Sequence, residues 1–526
     1  MVKTRKSHKK QITHKRNNKR NKRNHKTNKH KIYKKKGGRV IAAGGFGCVF
    51  EPSLQCKETG LREQGKISKL MRDKFAVEEL NIINNLRDKL STIPNYRDYF
   101  LIDGATLCKP SPLTENDLVD FEKKCKALPK IGANIMNINR ADVLGALTIL
   151  NLPNGGLDLD NFLKSDPLDQ NIYNQNIYKI QVALLQLLKN GIIPMNAKNI
   201  YHNDIKATNL LVDTTNNTFK IRLIDWGFVA EYVPRDPIPI IWKSLPFTFN
   251  EPFSVILFSD KFYLDYNKFH LSNTDPAIFN NNIDLFLTTY VKYYEKGGHY
   301  EYIMDIFYVL YKNDLPDTLT TAEKKDQIKN TYALPTIYDY LKQIILKFTL
   351  NLYTKRQNNS SSSSLSIDDE SSNHGNNGEQ AFISIPSVDN SNSSQNNKSK
   401  SPFPELNPEE LFFNSADRSA IEDNTKRGLK IYLDSVFIKN VDIWGFVMCY
   451  LPIIRFLSHN YDLLNILQKD LFETLKSLII IYLYGDPNEP ILEKPDFFET
   501  LNNITFFLQE IIRVKPGEMV TSTNSF

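Results

Sequence analysis

The sequence predicts an α+β protein of two unequal lobes, a small β-rich first lobe and a large helical second lobe with a long insertion. Three observations carry that expectation. Short apolar, glycine-containing runs suited to strands concentrate before about residue 152. Helical periodicity dominates after it. From Gln357 to Pro402 the composition collapses into Ser, Asn, Asp and Gly, which reads as a disordered insert because such a stretch cannot bury a core.

The elements follow in order. Residues 1–36 hold 17 Lys/Arg and no Asp or Glu, leaving 50 basic against 59 acidic residues in the rest, a net −9. A disordered basic tail over 1–37 therefore precedes a mildly acidic body. Arg39 to Phe50 is fit for two strands and a tight turn, and Lys74 to Leu90 places Phe75, Leu80, Ile83 and Leu86 at helical spacing. Thr148 to Leu152 is β-like. Tyr173 to Lys189 reads as an amphipathic helix stopped by Asn190-Gly191. Ile205 to Asp213 and Phe219 to Ile224 read as short strands around a polar turn. The expected division is 38–151 for the first lobe, 152–355 for the first part of the second, 356–402 for the insert and 403–526 for the remainder.

Other signals narrow the class. The N-terminus lacks the apolar core of a signal peptide. The apolar runs Ile443 to Leu457 and Leu478 to Tyr484 are short for a bilayer and read as buried helices, so no membrane association is expected. Cys48, Cys56, Cys108, Cys125 and Cys449 are scattered without a C-x-x-C pair, which predicts ordinary buried or free thiols in a reducing compartment. The tail predicts binding of nucleic acid or another polyanion through counterion release, or else a solvated charge run.

The strongest chemical signal is His202-Asn203-Asp204-Ile205-Lys206-Ala207-Thr208-Asn209, followed by Asp225-Trp226-Gly227 at the end of an apolar run. Phosphoryl transfer to a hydroxyl needs a carboxylate to orient the hydroxyl and accept its proton, ligands for magnesium, and positive charge on the phosphate. Asp204 suits the first role, Asn209 and Asp225 the second, and Lys206 the third. Turn residues and a strand terminator are the bland alternative for each taken singly.

These residues resemble the signatures H-R-D-L-K-x-x-N and D-F-G of the eukaryotic-type protein kinase family. The resemblance runs from about Gly38 to the C-terminus, with a large interruption in the second lobe. It implies a protein-kinase-like fold, ATP with Mg2+ or Mn2+ as cofactors, and a protein substrate. Asp204 becomes the base, Lys206 a phosphate contact, and Asn209 and Asp225 the metal ligands; Lys206 resembles the serine/threonine branch. The run Ala42, Ala43, Gly44, Gly45, Phe46, Gly47, Cys48, Val49 is similar to the family's Gly-rich loop, with Ala42 at its first glycine.

Lys69 in Lys66-Ile67-Ser68-Lys69 is the candidate phosphate-binding lysine and Glu79 its ion-pair partner, with Lys66 and Glu78 as alternatives. Leu150 to Gly156 resembles the hinge. Leu150 would form the back wall and Asn151 would lie in the nucleotide site, while Pro153 has no N–H to offer adenine. Val441-Asp442-Ile443-Trp444-Gly445 is similar to the start of the family's buried helix, whose Asp anchors the catalytic-loop backbone; an N-cap role is the alternative. Asn250-Glu251-Pro252 is the nearest analogue of A-P-E. Asn203 replaces the family Arg that binds a phosphorylated activation loop, so activation by loop phosphorylation is not expected. Trp226, in place of Phe, should still pack under the regulatory helix.

The Asn-rich tracts and Pro246 to Phe253 resemble divergent kinases of large DNA viruses, which implies an intracellular enzyme in host cytoplasm or nucleus, packaged in a virion. Two other readings remain at this stage. One is a pseudokinase scaffold with a polyanion-binding tail. The other is a small-molecule kinase of the aminoglycoside/choline type, which shares H-x-D-x-x-x-x-N but not Lys206 or the Gly-rich loop.

Overall fold

The computed structural model describes residues 38–165, 170–215, 219–244, 250–273, 275–295, 298–350, 415–483 and 489–513. The basic tail and the Ser/Asn-rich insert lie outside these residues, as do 245–249 of the Pro246–Phe253 segment. The described chain is mixed α and β, with antiparallel sheets and a preponderance of helix.

The β-rich part opens with β1 (Arg39–Ala43) and β2 (Gly47–Glu51), the expected hairpin. β3 (Lys66–Arg72) runs directly into α1 (Asp73–Leu90), as the periodicity predicts. Then come β4 (Thr106–Cys108), three short helices α2 (Phe121–Lys124), α3 (Ala127–Lys130) and α4 (Ala141–Gly145), and β5 (Leu147–Pro153). The five strands form one antiparallel sheet in the order β1-β2-β3-β5-β4.

Register decides what this sheet presents. Ala42 pairs with Val49, Val49 with Lys69, Lys69 with Leu150, and Leu150 with Leu107, so this row shares one face. Alternation sends Cys48, Phe50, Leu70 and Ile149 to the other face. There they form a separate core with Leu113, Phe121, Leu128 and Ile138 from residues 109–146. Ile83, Leu86 and Leu90 of α1 instead join Leu150 in the main core. The sheet is thus covered on both faces.

The helical part begins with β6 (Leu157–Asp158), α5 (Leu159–Ser165) and α6 (Gln170–Leu187). Gly191 does not stop α6 as its sequence context predicts. A π turn over Leu188–Ile192 carries the helix into α7 (Ile193–Asn196). Gly191 is there for close approach, because a Cβ would lie 2.9 Å from Tyr99 Cβ. β7 (Ile200–Tyr201), β8 (Leu210–Asp213), β9 (Lys220–Leu223) and β10 (Ala230–Glu231) follow, pairing as β6-β8-β9 and β7-β10. The strand expected over 205–213 is therefore confined to 210–213. Residues 205–209 form a loop ending in a 3-10 turn, held by side-chain bonds that a strand would break.

After α8 (Ile240–Ser244) the chain builds α9 (Asp260–Ser272), α10 (Pro276–Tyr294), α11 (Gly298–Tyr311), α12 (Thr321–Ile328) and α13 (Leu334–Ile345). Ser259 and Asp275 cap the backbone N–H groups of α9 and α10, and Thr320 with Glu323 makes a capping box for α12. These helices are not an appendage. Phe262, Tyr266, Phe269, Phe286 and Tyr290 contact one another through stacked and edge-on rings inside the main core. The chain closes with α14 (Ser415–Tyr432), α15 (Ile438–Met448), α16 (Leu451–His459), α17 (Ile466–Tyr482) and α18 (Asp496–Arg513). The helical run Asp423–His459 is long and apolar enough to cross a membrane by composition, yet 83% of its apolar window is buried inside the protein, as for a core helix.

The cysteine expectation is corrected. Cys48 is bonded to Cys125 and Cys56 to Cys108, and among the described residues Cys449 is a buried free thiol. Partners 77 and 52 residues apart leave no trace in local spacing.

At Gly428 of α14 a Cβ would lie 1.7 Å from the Phe348 carbonyl oxygen. Gly428→Ala should therefore lower stability by about 1–3 kcal/mol through overpacking, read as a drop in chemical-denaturation midpoint. An unchanged midpoint would contradict this packing of α14.

Candidate active site

The site grows from strand ends. β7 and β8 bracket the loop 202–209, and β9 delivers Asp225 one residue beyond Ile224. Two non-glycine residues adopt left-handed backbone there, Asn203 with φ 60° and Asp225 with φ 65°. Asn and Asp tolerate that region best, at about 1–3 kcal/mol each, and such strain persists only where surrounding contacts enforce it.

Those contacts converge on Asp442. It is 1% exposed and lies inside α15, so it is not an N-cap. Its Oδ2 accepts the backbone N–H of His202 at 2.9 Å and the Asn196 amide at 2.8 Å, while Oδ1 accepts the backbone N–H of Asn203 at 2.9 Å. Burial pushes its pKa up, and these donors with His202 oppose the shift. Three residues on, a Cβ at Gly445 would sit 2.7 Å from the Ile205 carbonyl oxygen, so the helix lies directly on the loop backbone.

His202 is buried and its two nitrogens have distinct tasks. Nδ1 accepts the Asp204 backbone N–H at 3.3 Å and Nε2 lies 3.0 Å from the Ile224 carbonyl oxygen. One acceptor and one donor is the pattern of neutral imidazole, a tautomer assigned from these bonds. Burial agrees by pushing the His202 pKa below its ordinary value, against the pull of Asp442, Asp204 and Asp225. Trp226 packs edge-on against His202 and Phe100, at 5.0 and 5.7 Å between centroids, and its turn touches α1.

Asp204 is 3% exposed. Lys206 Nζ donates to both its oxygens at 3.0 and 2.9 Å, and the Asn209 amide to Oδ2 at 2.7 Å. A further donor is one that sequence reasoning missed in this role: the amide of Asn250 reaches Oδ1 at 2.6 Å. Next to it, buried Glu251 accepts the Trp242 indole N–H at 3.1 Å. Asn209 also donates to the Asp204 carbonyl at 2.8 Å, so its amide nitrogen is committed to Asp204 and its amide oxygen is the atom that could hold a cation. The Ile224 N–H bonds to the Asn209 carbonyl at 3.0 Å and so sets Asp225 beside it.

Lys69 crosses to this site from β3. Its Nζ lies 2.8 and 2.7 Å from the two Glu79 oxygens and 3.8 Å from Asp225 Oδ1. Burial by itself lowers the Lys69 pKa, but Glu79 and Asp225 outweigh it and hold the ammonium above its ordinary value. The alternatives are occupied elsewhere. Lys66 bonds to Gly104 O at 2.7 Å and to Glu63 at 2.5 Å, and Glu78 pairs with Lys74 at 3.8 Å.

Above Lys69 stands the hairpin turn, closed by Gly44 N–H to Gly47 O at 2.9 Å. Gly47 is sterically required, since a Cβ would lie 2.7 Å from the Leu70 carbonyl oxygen. Gly45 has open space around it, and a Cβ on Gly44 would meet Lys69 Cε at 3.8 Å, so the turn overhangs the lysine. Phe46 packs at a tilt on Phe75 of α1 with centroids 4.9 Å apart. Ala42 and Val49 share the Lys69 face, and Ala43 is exposed at the end of β1.

Asn151 is placed otherwise. Its side chain points to the opposite sheet face, where it accepts from Ser68 Oγ at 2.5 Å and donates to Glu63 at 2.6 Å. Its backbone lies within the sheet, opposite Ser68 of β3 and Thr106 of β4. The Pro153 position is part of β5, paired with Lys66.

A divalent cation fits the donor set. The Asp225 side chain is 40% exposed, and its one ion pair among the described residues is Lys69 at 3.8 Å. Among the described residues no cluster of three or more His, Cys, Asp or Glu has metal-binding spacing. Magnesium carried by a nucleotide needs only one or two carboxylates beside phosphate and water. No protein-family model and no curated protein matches this chain.

Two outcomes are expected. Asp442→Ala leaves buried N–H groups of His202 and Asn203 unpaired and should cost about 3–5 kcal/mol in denaturant titration. Burial also pushes His270 down to about 4 from 6.5, with His202 lowered in the same direction. The unfolded chain binds these protons first, so stability present above pH 6.5 falls as pH drops towards 4. His270→Leu should flatten that limb of the melting-temperature profile; an unaltered slope would contradict the assignment.

Proposed function

We propose that this chain is a serine/threonine protein kinase with a two-lobed protein-kinase-like fold, transferring the γ-phosphate of ATP to protein hydroxyl groups. The observation that carries the reading is the convergence of one site from three distant parts of the chain. Lys69 and Glu79 come from the sheet side, Asp204, Lys206, Asn209 and Asp225 from the loop and β9, and Asp442 from a helix 240 residues beyond His202.

Each side chain has a task in that reaction. Lys69, fixed by Glu79, holds the α- and β-phosphates beneath the 44–47 turn, whose glycines let backbone N–H groups approach. Asn209 and Asp225 would hold Mg2+ or Mn2+, which when bound neutralises charge on the phosphates. Asp204 orients the attacking hydroxyl and accepts its proton. Lys206 stands on both Asp204 oxygens, at 3.0 and 2.9 Å, where its charge also stabilises the transferring phosphoryl group. The neutral His202 keeps the loop in place without competing for that proton. Asn203, where the family has Arg, donates its amide to the Phe228 carbonyl at 2.9 Å and so ties the segment after Asp225 without a phosphate. Lys206 and the glycine turn favour a protein substrate over the small-molecule branch.

The test is transfer of label from γ-labelled ATP with magnesium to a generic basic protein. Asp204→Asn should lower the rate by about 10²–10⁴-fold, the range for losing a positioned acid–base group, while nucleotide affinity is retained. Lys69→Met and Asp225→Ala should also abolish transfer. Label appearing only on sugars or amino alcohols, or transfer at the wild-type rate in Asp204→Asn, would overturn the proposal.

A further inference from the structure

The Cys48–Cys125 bond lies where it can do more than staple a core. Cys48 directly follows Gly47, at the exit of the turn that overhangs Lys69, and Cys125 closes α2 in the segment covering the outer sheet face. Residues 117–125 hold the β1–β2 hairpin at three points. Gly38 N–H donates to Asp117 Oδ1 at 2.6 Å, Val40 N–H to the Val119 carbonyl at 3.3 Å, and Cys48 is bonded to Cys125. The tip, Gly44 to Phe46, has no such tie to this segment among the described residues and reaches α1 through the Phe46–Phe75 ring contact. One short segment therefore holds the hairpin from its first strand up to Cys48, which pairs with Ala43 directly before the turn, and leaves Gly44 to Phe46 as the part that reaches over Lys69.

The second bond, Cys56–Cys108, lies inside the loop closed by the first, so the two are nested within the β-rich part. The free thiol, Cys449, is buried at the C-terminal end of α15, in the helical part. Oxidation thus acts on the hairpin side alone. Cys48 and Cys125 are 0% exposed and Cys56 3%, whereas Cys108 is partly exposed. A bond at 0% exposure cannot be attacked by a small thiol without local opening of the segment that covers it.

We propose that this chain is a substrate for oxidative thiol–disulfide exchange, and that the Cys48–Cys125 bond so made is a one-time latch that preorganises the glycine hairpin. The co-reactant is an oxidised dithiol carrier. Its disulfide takes two electrons and two protons from the Cys48 and Cys125 thiols, leaving one protein disulfide and a reduced dithiol. The ligand preorganised is a nucleotide polyphosphate; that part rests on the function proposed above, whereas the latch itself does not.

The test uses the full chain produced in the oxidising bacterial periplasm. Maleimide labelling in denaturant should find one thiol per chain before reduction, Cys449, and five after it. Under native conditions a reductant should open Cys56–Cys108 before Cys48–Cys125. In Cys48→Ala/Cys125→Ala, or the double Val variant if that fails to fold, hydrogen exchange of residues 39–51 should accelerate. Affinity for an ATP analogue should then fall at least about fivefold, the lower end of ordinary coupling between sites. Five reactive thiols before reduction, or hairpin exchange equal to wild type, would overturn the latch. Faster exchange with unchanged nucleotide affinity would overturn its preorganising role. A wild-type chain that shows the expected thiols and exchange but binds no nucleotide would remove the function proposal and leave the latch standing.

Discussion

Everything at the site depends on one buried carboxylate. Asp442 sits 1% exposed in a helix and takes the N–H groups of His202 and Asn203 into its two oxygens. An uncompensated charge at that depth would be costly, and the backbone N–H groups of a left-handed turn would be equally costly if unpaired. Each needs the other. That mutual requirement holds Asn203 at positive φ, turns Asp204 towards Lys206 and Asn209, and presses α15 onto Ile205 so closely that only glycine fits at 445. The described helices between Asp225 and Asp442 are therefore a structural part of the site, because the chain they build carries the anchor back to the loop.

The β-rich side is coupled to this anchor by packing more than by surface charge. Phe100 bridges to Leu223, the Leu101 N–H donates to the Leu223 carbonyl at 3.1 Å, and Trp226 fills the space between Phe100 and His202. Asn85 and Lys89 of α1 both reach Glu231 on β10, but the Lys89–Glu231 pair is about two-fifths exposed and such pairs contribute little. Lys69–Glu79 is different. At 11% and 13% exposure the pair is largely out of water, and breaking it would leave a buried charge. Further along, Tyr232 and Lys430 both bond to Asp434, which ties the segment after β10 to the C-terminal helices. The protein thus holds that segment with permanent side chains.

Much of this was legible in residue order. The 39–51 hairpin, α1 and β5 follow from period and turn chemistry, and the spacing from His202 to Asp225 pointed to residues the fold brings together. Val441 to Gly445 pointed to the anchor. The misses have physical causes. Residues 205–209 carry strand-like composition, but the Asn209 bonds to Asp204 override propensity. Gly191 looks like a stop and is a contact. Asn151 sits at the right place in β5 with its side chain on the wrong face, a consequence of period two. Asn250 gave no periodic signal, because its importance is one tertiary hydrogen bond. Disulfide partners far apart in sequence cannot be paired from spacing.

The central claim is that Asn209 and Asp225 share a cation beside a nucleotide held by Lys69. The most direct measurement is a crystal structure of the full chain with Mn2+ and a non-hydrolysable ATP analogue, recorded at the manganese edge. The account predicts an anomalous peak between the Asn209 amide oxygen and the Asp225 carboxylate, with the analogue's phosphates under the 44–47 turn. A nucleotide bound away from Lys69, or manganese with no ligand from Asn209 or Asp225, would contradict it.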